Sequence, residues 1–319
     1  MKVAIIGTGI MGSSMAAWFL DCGAEVFAVD VWKEHVDAIN EKGLIIEHHL
    51  TGEQKLYTNL KAYTSPDQIG QKMDLILILV KSLHSRDACQ SAQCLFGEHT
   101  LVLTLQNGLG HADLLSEYFP RENVMYGCMM VKGRVKSPGH VIREADENSY
   151  VACGSAVGVR TPAMEEMVSN LQSAGLKIRF SDEIDYEIFS KAVVNCVANP
   201  LSGITRLVSG RLLNDEITDA GLQLGWAIEK EVIAVAAAEG VKLETGNFKI
   251  QPTTNVHLPS MGQDMRARRG TEIDCLNGAV VALGKKHGIP TPYNEAVTLL
   301  VKTIENNYKH QWDLWDEWA

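Results

Sequence analysis

Lys2-Val3-Ala4-Ile5-Ile6-Gly7-Thr8-Gly9-Ile10-Met11-Gly12 is the stretch on which the reading of the fold turns. Its first five residues are a short apolar run of β-formers, and the residues from Ser13 to Asp21 carry helical spacing, so the glycines fall in a turn between a strand and a helix. In that setting Gly7 permits the tight turn, Gly9 lets the backbone approach a pyrophosphate, and Gly12 lets the helix pack closely on the strand. The helix N-terminus then offers unpaired N–H groups to phosphate. Gly7, Thr8, Gly9, Ile10, Met11 and Gly12 therefore make a candidate dinucleotide-binding loop. Glycine turns are common, so the motif gains its weight from the second strand. That β-rich run, residues 25–29, ends in Asp30. An acid about 20 residues beyond the glycines is placed to accept from a ribose 2′-OH and to repel a 2′-phosphate, which favours NAD over NADP. A solvated Asp at a strand end gives the same pattern, and nearby Lys33 keeps NADP open.

Beyond Asp30, residues 33–42 read as helix, and residues 44–48 with 54–57 as a small pair of strands. Residues 75–80 form an unbroken apolar run, as a central parallel strand should, and the run stops at Lys81. Ligands in a doubly wound sheet gather at the carboxyl ends of strands, so Lys81 is placed to reach cofactor or substrate. By the same logic residues 100–105 run into Gln106-Asn107-Gly108, where the Asn107 amide could hold the ribose or nicotinamide end of a cofactor. A water-facing lysine and an ordinary Asn-Gly turn satisfy those two patterns equally. After residues 124–130 the rhythm changes. Residues 139–143 and 149–153 read as an antiparallel pair joined by an acidic turn at 144–148, residues 162–174 as helix, and 177–180 as a last strand. From residue 183 the strand signals fade and helical periodicity takes over, for example over residues 222–239. The expected architecture is α/β: a Rossmann-type doubly wound sheet over residues 1–182, followed by an all-helical domain over 183–319.

A chain of 319 residues suits two domains. The formal charge of −10 argues against a general nucleic-acid or anionic-membrane surface, while a small anionic substrate stays compatible with local basic residues. Because no apolar run reaches the ~20 residues of a membrane helix, and no leader pattern precedes the first strand, the expectation is a cytoplasmic protein. The seven cysteines are scattered and odd in number, which reads as reduced packing residues and gives neither a disulfide framework nor a metal site.

A second polar pattern lies at Ser190-Lys191-Ala192-Val193-Val194-Asn195-Cys196-Val197-Ala198-Asn199-Pro200. Lys191, Asn195 and Asn199 are spaced i, i+4, i+8, one stripe on a helix whose other positions are apolar or small. A buried ammonium and two amides need partners, and a ligand could supply them; neighbouring backbone and a snorkelling lysine are the alternative. Further on, residues 260–274 offer Ser260 and Asp264 on one helical face, with Glu272 two turns along if the helix survives Gly270. That face could meet the Lys191 stripe, or its acids could simply pair with Arg266, Arg268 and Arg269.

Taken together, the glycine loop, Gln106-Asn107-Gly108, residues 191–201, Ser260-Met261, Asp264 and Glu272-Ile273-Asp274 resemble the ketopantoate reductase (2-dehydropantoate 2-reductase) family across nearly the whole chain. The resemblance implies a Rossmann domain, a helical C-terminal domain and an active site in the cleft between them. It further implies that Lys191 is the catalytic lysine with Glu272 its partner acid. On the same basis Asn195 and Asn199 bind substrate, and Ser260 and Asp264 hold its carboxylate and hydroxyl. Lys81 and Asn107 would lie on the cofactor side, where Glu272 is also in reach, and Asn107 would contact substrate as well. The substrate would be a 2-oxo acid, reduced at C2 by hydride from NAD(P)H with a proton from the lysine, and no metal takes part. Two departures stand out. Cys128-Met129-Met130-Val131 replaces a polar, threonine-rich run, and Asp30 points to NAD where family members commonly use NADPH. Both admit a rival, an NAD-linked D-2-hydroxyacid dehydrogenase on the same scaffold; a non-catalytic nicotinamide-binding sensor is a remoter one. Trp312, Trp315 and Trp318 at i, i+3, i+6 should pack on the body or on a second subunit, which leaves a homodimer open.

Overall fold

A computed structural model of the chain describes residues 1–144, 149–216, 219–246 and 248–311. The three tail tryptophans and most of the acidic turn, residues 145–148, lie outside the described residues. The chain divides into two compact units, Met1–Gln106 with His111–Ile184, and Asn107–Gly110 with the chain from Asp185 onward.

In the first unit β1 (Lys2–Ile6) leads through the glycine loop into α1 (Ile10–Asp21), β2 (Glu25–Val29), α2 (Lys33–Lys42), a hairpin of β3 (Leu44–His48) and β4 (Gln54–Tyr57), and β5 (Lys61–Tyr63). The alternation continues with β6 (Leu75–Ile78), α3 (Ser85–Ala92), β7 (Leu101–Thr104), α4 (His111–Ser116) and β8 (Val124–Met129). Then come β9 (Lys132–Ser137), β10 (His140–Glu144), β11 (Val151–Ser155), α5 (Pro162–Ser173) and β12 (Ile178–Phe180). Eight strands form the main sheet in the order β12-β11-β8-β7-β6-β1-β2-β5, parallel from β8 to β5, with β11 antiparallel to β8. The chain steps from β1 to β2 on one side and later to β6 on the other. The switch point therefore falls between β1 and β6, whose carboxyl ends present Gly7 and residues 79–81.

Side chains explain why these strands read as continuous apolar runs. Val3 and Ile5 of β1 enter one core cluster with Met15, Ala16 and Phe19 of α1, whereas Ala4 and Ile6 enter another with Ala88 and Cys89 of α3. Leu75 and Leu77 of β6 divide from Ile76 and Ile78 in the same way. Alternate residues point to opposite faces and helices cover both, so residues 3–6 and 75–78 are apolar on either face.

The expected pairing of residues 139–143 with 149–153 is overturned. β10 pairs antiparallel with β9 across the Pro138-Gly139 turn and parallel with β3, in a separate four-stranded sheet of order β4-β3-β10-β9. β11 lies in the main sheet between β8 and β12. Burial gives the reason. All five residues of β11 are buried, as a strand flanked on both edges and covered on both faces must be, while β9 is polar and mostly exposed and so sends little apolar signal. Arg143 of β10 lays its guanidinium over the Trp18 ring of α1 at 4.4 Å, which fastens the small sheet to that helix.

The second unit contains α6 (Ile184–Thr205), α7 (Ser209–Leu212), α8 (Ala220–Ala238), α9 (Ser260–Arg266), α10 (Asn277–His287) and α11 (Pro292–Asn306). Its core joins Val193, Cys196 and Val197 of α6 to Ile228, Val232 and Val235 of α8 and to Val297 and Val301 of α11. Residues 260–274 do not continue as one helix. α9 stops at Arg266, Arg268 takes a left-handed conformation (φ +53°), and the Arg269 N–H closes back on the Asp264 carbonyl at 2.9 Å. Glu272 thus sits in a separate turn. No described helix is long and apolar enough to cross a membrane.

Candidate functional site

In the first unit the glycine loop is built at distances that exclude side chains. Gly7 has φ +94°, and a Cβ there would lie 2.6 Å from the Val80 nitrogen; a Cβ on Gly12 would lie 2.0 Å from the Gly7 carbonyl oxygen. The ends of β1 and β6 and the start of α1 can only meet in this way with glycine at both places. At Gly9 the opposite holds, since a Cβ there would meet nothing within 4 Å. Open space at Gly9 and a twelve-residue helix whose N-cap makes no side-chain bond are what a pyrophosphate needs.

Asp30, at the end of β2, is tied into the same loop. Its Oδ2 accepts from the Thr8 backbone N–H at 2.8 Å and its Oδ1 from the Trp32 N–H at 2.9 Å. Thr8 is buried, and its carbonyl accepts from the Ser13 hydroxyl at 2.7 Å, so the loop, the acid and the first turn of α1 form one hydrogen-bonded piece. Lys33 turns away to Asp37 on its own helix, at 2.6 and 2.9 Å to the two carboxylate oxygens. Exposed to solvent and screened by it, that i, i+4 pair holds the lysine only weakly.

Lys81 is half-buried and extended, just past the end of β6. The chain on either side of it is held by Gln106, to which the sequence pattern assigns no role of its own. The buried Gln106 amide donates to the Val80 carbonyl at 2.6 Å and to the Ser85 hydroxyl at 2.7 Å, and its oxygen accepts from the Thr104 hydroxyl at 2.9 Å. Gln106 thereby stitches the ends of β6 and β7 to the start of α3. A polar side chain two residues beyond a strand-end Thr, before Asn-Gly, is the signal that could have found it.

The second unit holds the other candidates. Lys191 and Asn195 on α6 are half-buried and Asn199 is buried. The Asn199 oxygen accepts from the Ser260 hydroxyl at 3.2 Å and from the Met261 N–H at 3.4 Å, so the stripe on α6 meets the first turn of α9. The loop Asn107–Gly110 packs here too. Leu109 N–H donates to the Cys275 carbonyl at 2.9 Å, the Cys275 thiol approaches the Asn107 carbonyl at 3.3 Å, and the Asn107 amide reaches Glu272 at 3.5 Å. Asp264 is buried and paired with exposed Arg269, whose Nε and Nη2 lie 3.1 and 2.9 Å from one carboxylate oxygen. Of the arginines expected to pair with acids, Arg269 does so, bracing the turn that precedes Glu272. Ser260 is thus brought to Asn199 and Asn107 to Glu272, while Asp264 is drawn to Arg269.

The arrangement has known counterparts. The profile of the family described as Ketopantoate reductase PanE/ApbA matches residues 3–156, and that of Ketopantoate reductase PanE/ApbA C terminal matches residues 183–305. A 2-dehydropantoate 2-reductase of Lactococcus lactis subsp. lactis (strain IL1403) is 31% identical over 317 residues, covering 97% of this chain and 99% of the relative. Among solved structures, a PanE/ApbA family ketopantoate reductase from Ralstonia eutropha JMP134 superposes with a TM-score of 0.87 at 30% identity, over 97% of this chain and 100% of that one. D-mandelate dehydrogenase with NADH and anilino(oxo)acetate superposes with the same TM-score, 0.87, at 32% identity and the same coverage, 97% and 100%. With both halves of the chain matched and such likeness over almost its full length, the chain belongs to the ketopantoate reductase family and is an oxidoreductase of that type.

Proposed function

We propose that this enzyme uses NADH to reduce the C2 carbonyl of a 2-oxo acid, with ketopantoate to D-pantoate the best single assignment. The observation that carries the reading is the hydrogen bond from Ser260 to Asn199, which joins segments 61 residues apart that the family pattern assigns to substrate. Bound on the glycine loop, a nicotinamide dinucleotide supplies the hydride. Gly7, Thr8, Gly9, Ile10, Met11 and Gly12 hold its pyrophosphate, and Asp30 takes the ribose hydroxyls. Asp30 Oδ2 accepts both the N–H and the hydroxyl of Thr8, whereas Oδ1 accepts only the Trp32 N–H and so keeps a lone pair for a ribose hydroxyl; a 2′-phosphate would meet a fixed negative charge. Lys81 and Asn107 support the cofactor side.

As negative charge develops on the carbonyl oxygen, the Lys191 ammonium stabilises it and gives up a proton. Glu272 orients that lysine. Asn195 and Asn199 hold the substrate's polar groups, and Ser260 and Asp264 serve its carboxylate and hydroxyl, with Arg269 keeping Asp264 in place.

A second reading, D-2-hydroxyacid dehydrogenase, is favoured by the end of β8. There Met130 is exposed, with Met129 packed in the core beside it, and offers an apolar, adaptable surface suited to a bulkier acid; the D-mandelate dehydrogenase neighbour holds NADH. Initial rates with ketopantoate and with benzoylformate, each with NADH and NADPH, separate the two. Faster turnover of ketopantoate supports the first reading, faster turnover of benzoylformate the second, and turnover of neither acid overturns both. A preference for NADPH would overturn the role given to Asp30.

A further inference from the structure

Helix α6 carries Pro200 in its interior, one residue after Asn199. Proline has no N–H, so the carbonyl four residues earlier, that of Cys196, loses its helical partner. Cys196 is fully buried, and an unpaired carbonyl at that depth is costly. The vacant acceptor is filled from outside the helix: the Asn277 side chain donates to the Cys196 carbonyl at 2.9 Å. Asn277, at the start of α10, is itself fully buried.

Asn277 does not stand alone. Its second amide hydrogen goes to the Asn294 side-chain oxygen at 3.0 Å, and the Asn294 amide donates to Glu231 at 2.7 Å. Glu231 of α8 also accepts the Tyr293 and Asn294 backbone N–H groups, both at 2.9 Å, at the N-terminus of α11. Both Glu231 oxygens face backbone N–H donors and therefore accept, so the direction of the whole chain is set from that end. Glu231 fixes the Asn294 amide, the Asn294 oxygen must then accept from Asn277, and the remaining Asn277 hydrogen is aimed at Cys196. Three helices, α8, α10 and α11, thus converge on the hydrogen bond missing from α6, whose orphaned carbonyl, that of Cys196, lies between Asn195 and Asn199.

We propose that Asn277 is a positioning residue for the oxo-acid site. By capping the carbonyl that Pro200 orphans, it fixes the offset between the Asn195 turn and the Asn199 turn of α6, and hence the direction of the two side chains offered to substrate. The proposal rests on the reading of Asn195 and Asn199 as substrate residues. Their geometry is set from Glu231 through Asn294 and Asn277, none of which needs to touch the substrate.

The test is a double-mutant cycle on the full-length protein, N277A, P200A and P200A/N277A, with N199A as a control on the underlying reading. N277A should lower kcat/KM for the preferred 2-oxo acid about ten- to a hundredfold, mostly through KM, while the NADH Kd measured by fluorescence stays unchanged. In the P200A background an N–H returns to position 200 and can bond Cys196, so the same Asn277 substitution should cost several-fold less. Equal losses in both backgrounds, or a fall in melting temperature with unchanged kcat/KM, would overturn the proposal. If N277A alone does not fold, a folded P200A/N277A supports the compensation and an unfolded one refutes it. N199A separates the two levels. Should N199A leave the oxo-acid KM unchanged, the reading of the site fails; should it raise KM while N277A does not, only the positioning role fails.

Discussion

On the proposed reading, the glycine loop and the polar stripe of α6 would solve similar binding problems by opposite means. The loop works with backbone: glycines that exclude or leave space, an uncapped helix end, and one acid pinned by two N–H groups. Its parts span residues 7–32 and are assembled largely by local sequence. The stripe would work with side chains drawn from residues 107, 191–199, 260–264 and 272, which meet across long stretches of chain, as in the 165-residue separation between Asn107 and Glu272 and the 61-residue one between Asn199 and Ser260. A backbone site is specified by what must be absent from it. A side-chain site is specified by long-range packing, and small errors anywhere in that packing reach it.

If that contrast is sound, substitutions should separate cofactor binding from turnover. The largest effect is expected for Lys191→Ala, which should lower kcat about 10²- to 10⁴-fold while NADH affinity holds, as read by fluorescence titration. A parallel collapse of NADH binding would break the division of labour. Gly12→Ala tests the loop from the other side. Its Cβ would press on the Gly7 carbonyl, costing about 1–3 kcal/mol of stability and weakening NADH at least tenfold, measured by thermal melt and titration. Asp30→Ser should raise the NADPH-to-NADH ratio of kcat/KM about tenfold, equivalent to ~1.4 kcal/mol of discrimination.

A smaller effect is expected from pH. Burial pushes the His35 imidazole below its ordinary value, with the nearby Asp30 charge opposing, and His35 Nδ1 accepts the Gly139 N–H at 3.0 Å. Since the folded value lies below the unfolded one, this contribution is present above about pH 6.5 and is lost as pH falls through the folded value. Melts across that window should show the loss in wild type and less of it in His35→Gln. The smallest change should come from Arg268→Gly. Relief of the left-handed residue should add at most about 1 kcal/mol by denaturant titration, with kinetics unchanged.

The two regions also differ in how much of them can be read in sequence. Gly7, Gly9 and Gly12 announce themselves because spacing and flanking runs carry the whole structure, and residues 75–80 announce a central strand because both faces are covered. Lys191, Asn195 and Asn199 are visible as a stripe, but their partners are not. Nothing local to Ser260 points to Asn199, and nothing near Asn277 points to the carbonyl that Pro200 frees; both pairings come from tertiary packing. β9 escapes notice for a related reason, since a polar edge strand is recognisable mainly by the Pro-Gly turn beside it. Resemblance to the family names the second set of residues, and the packing of this chain gives the physical grounds for their placement.

The membership of Asn107–Gly110 in the second unit bears on biosynthesis. Leu109 is buried in the core of that unit, and its N–H is bonded to Cys275. During translation the loop leaves the ribosome long before Glu272 and Cys275 exist, a wait of roughly 10–30 s at typical elongation rates. Most of the strands around it can pair at once, while this loop stays without its native cover until the C-terminal third has been made. The nascent chain therefore carries Leu109 without its native cover through about half of its synthesis.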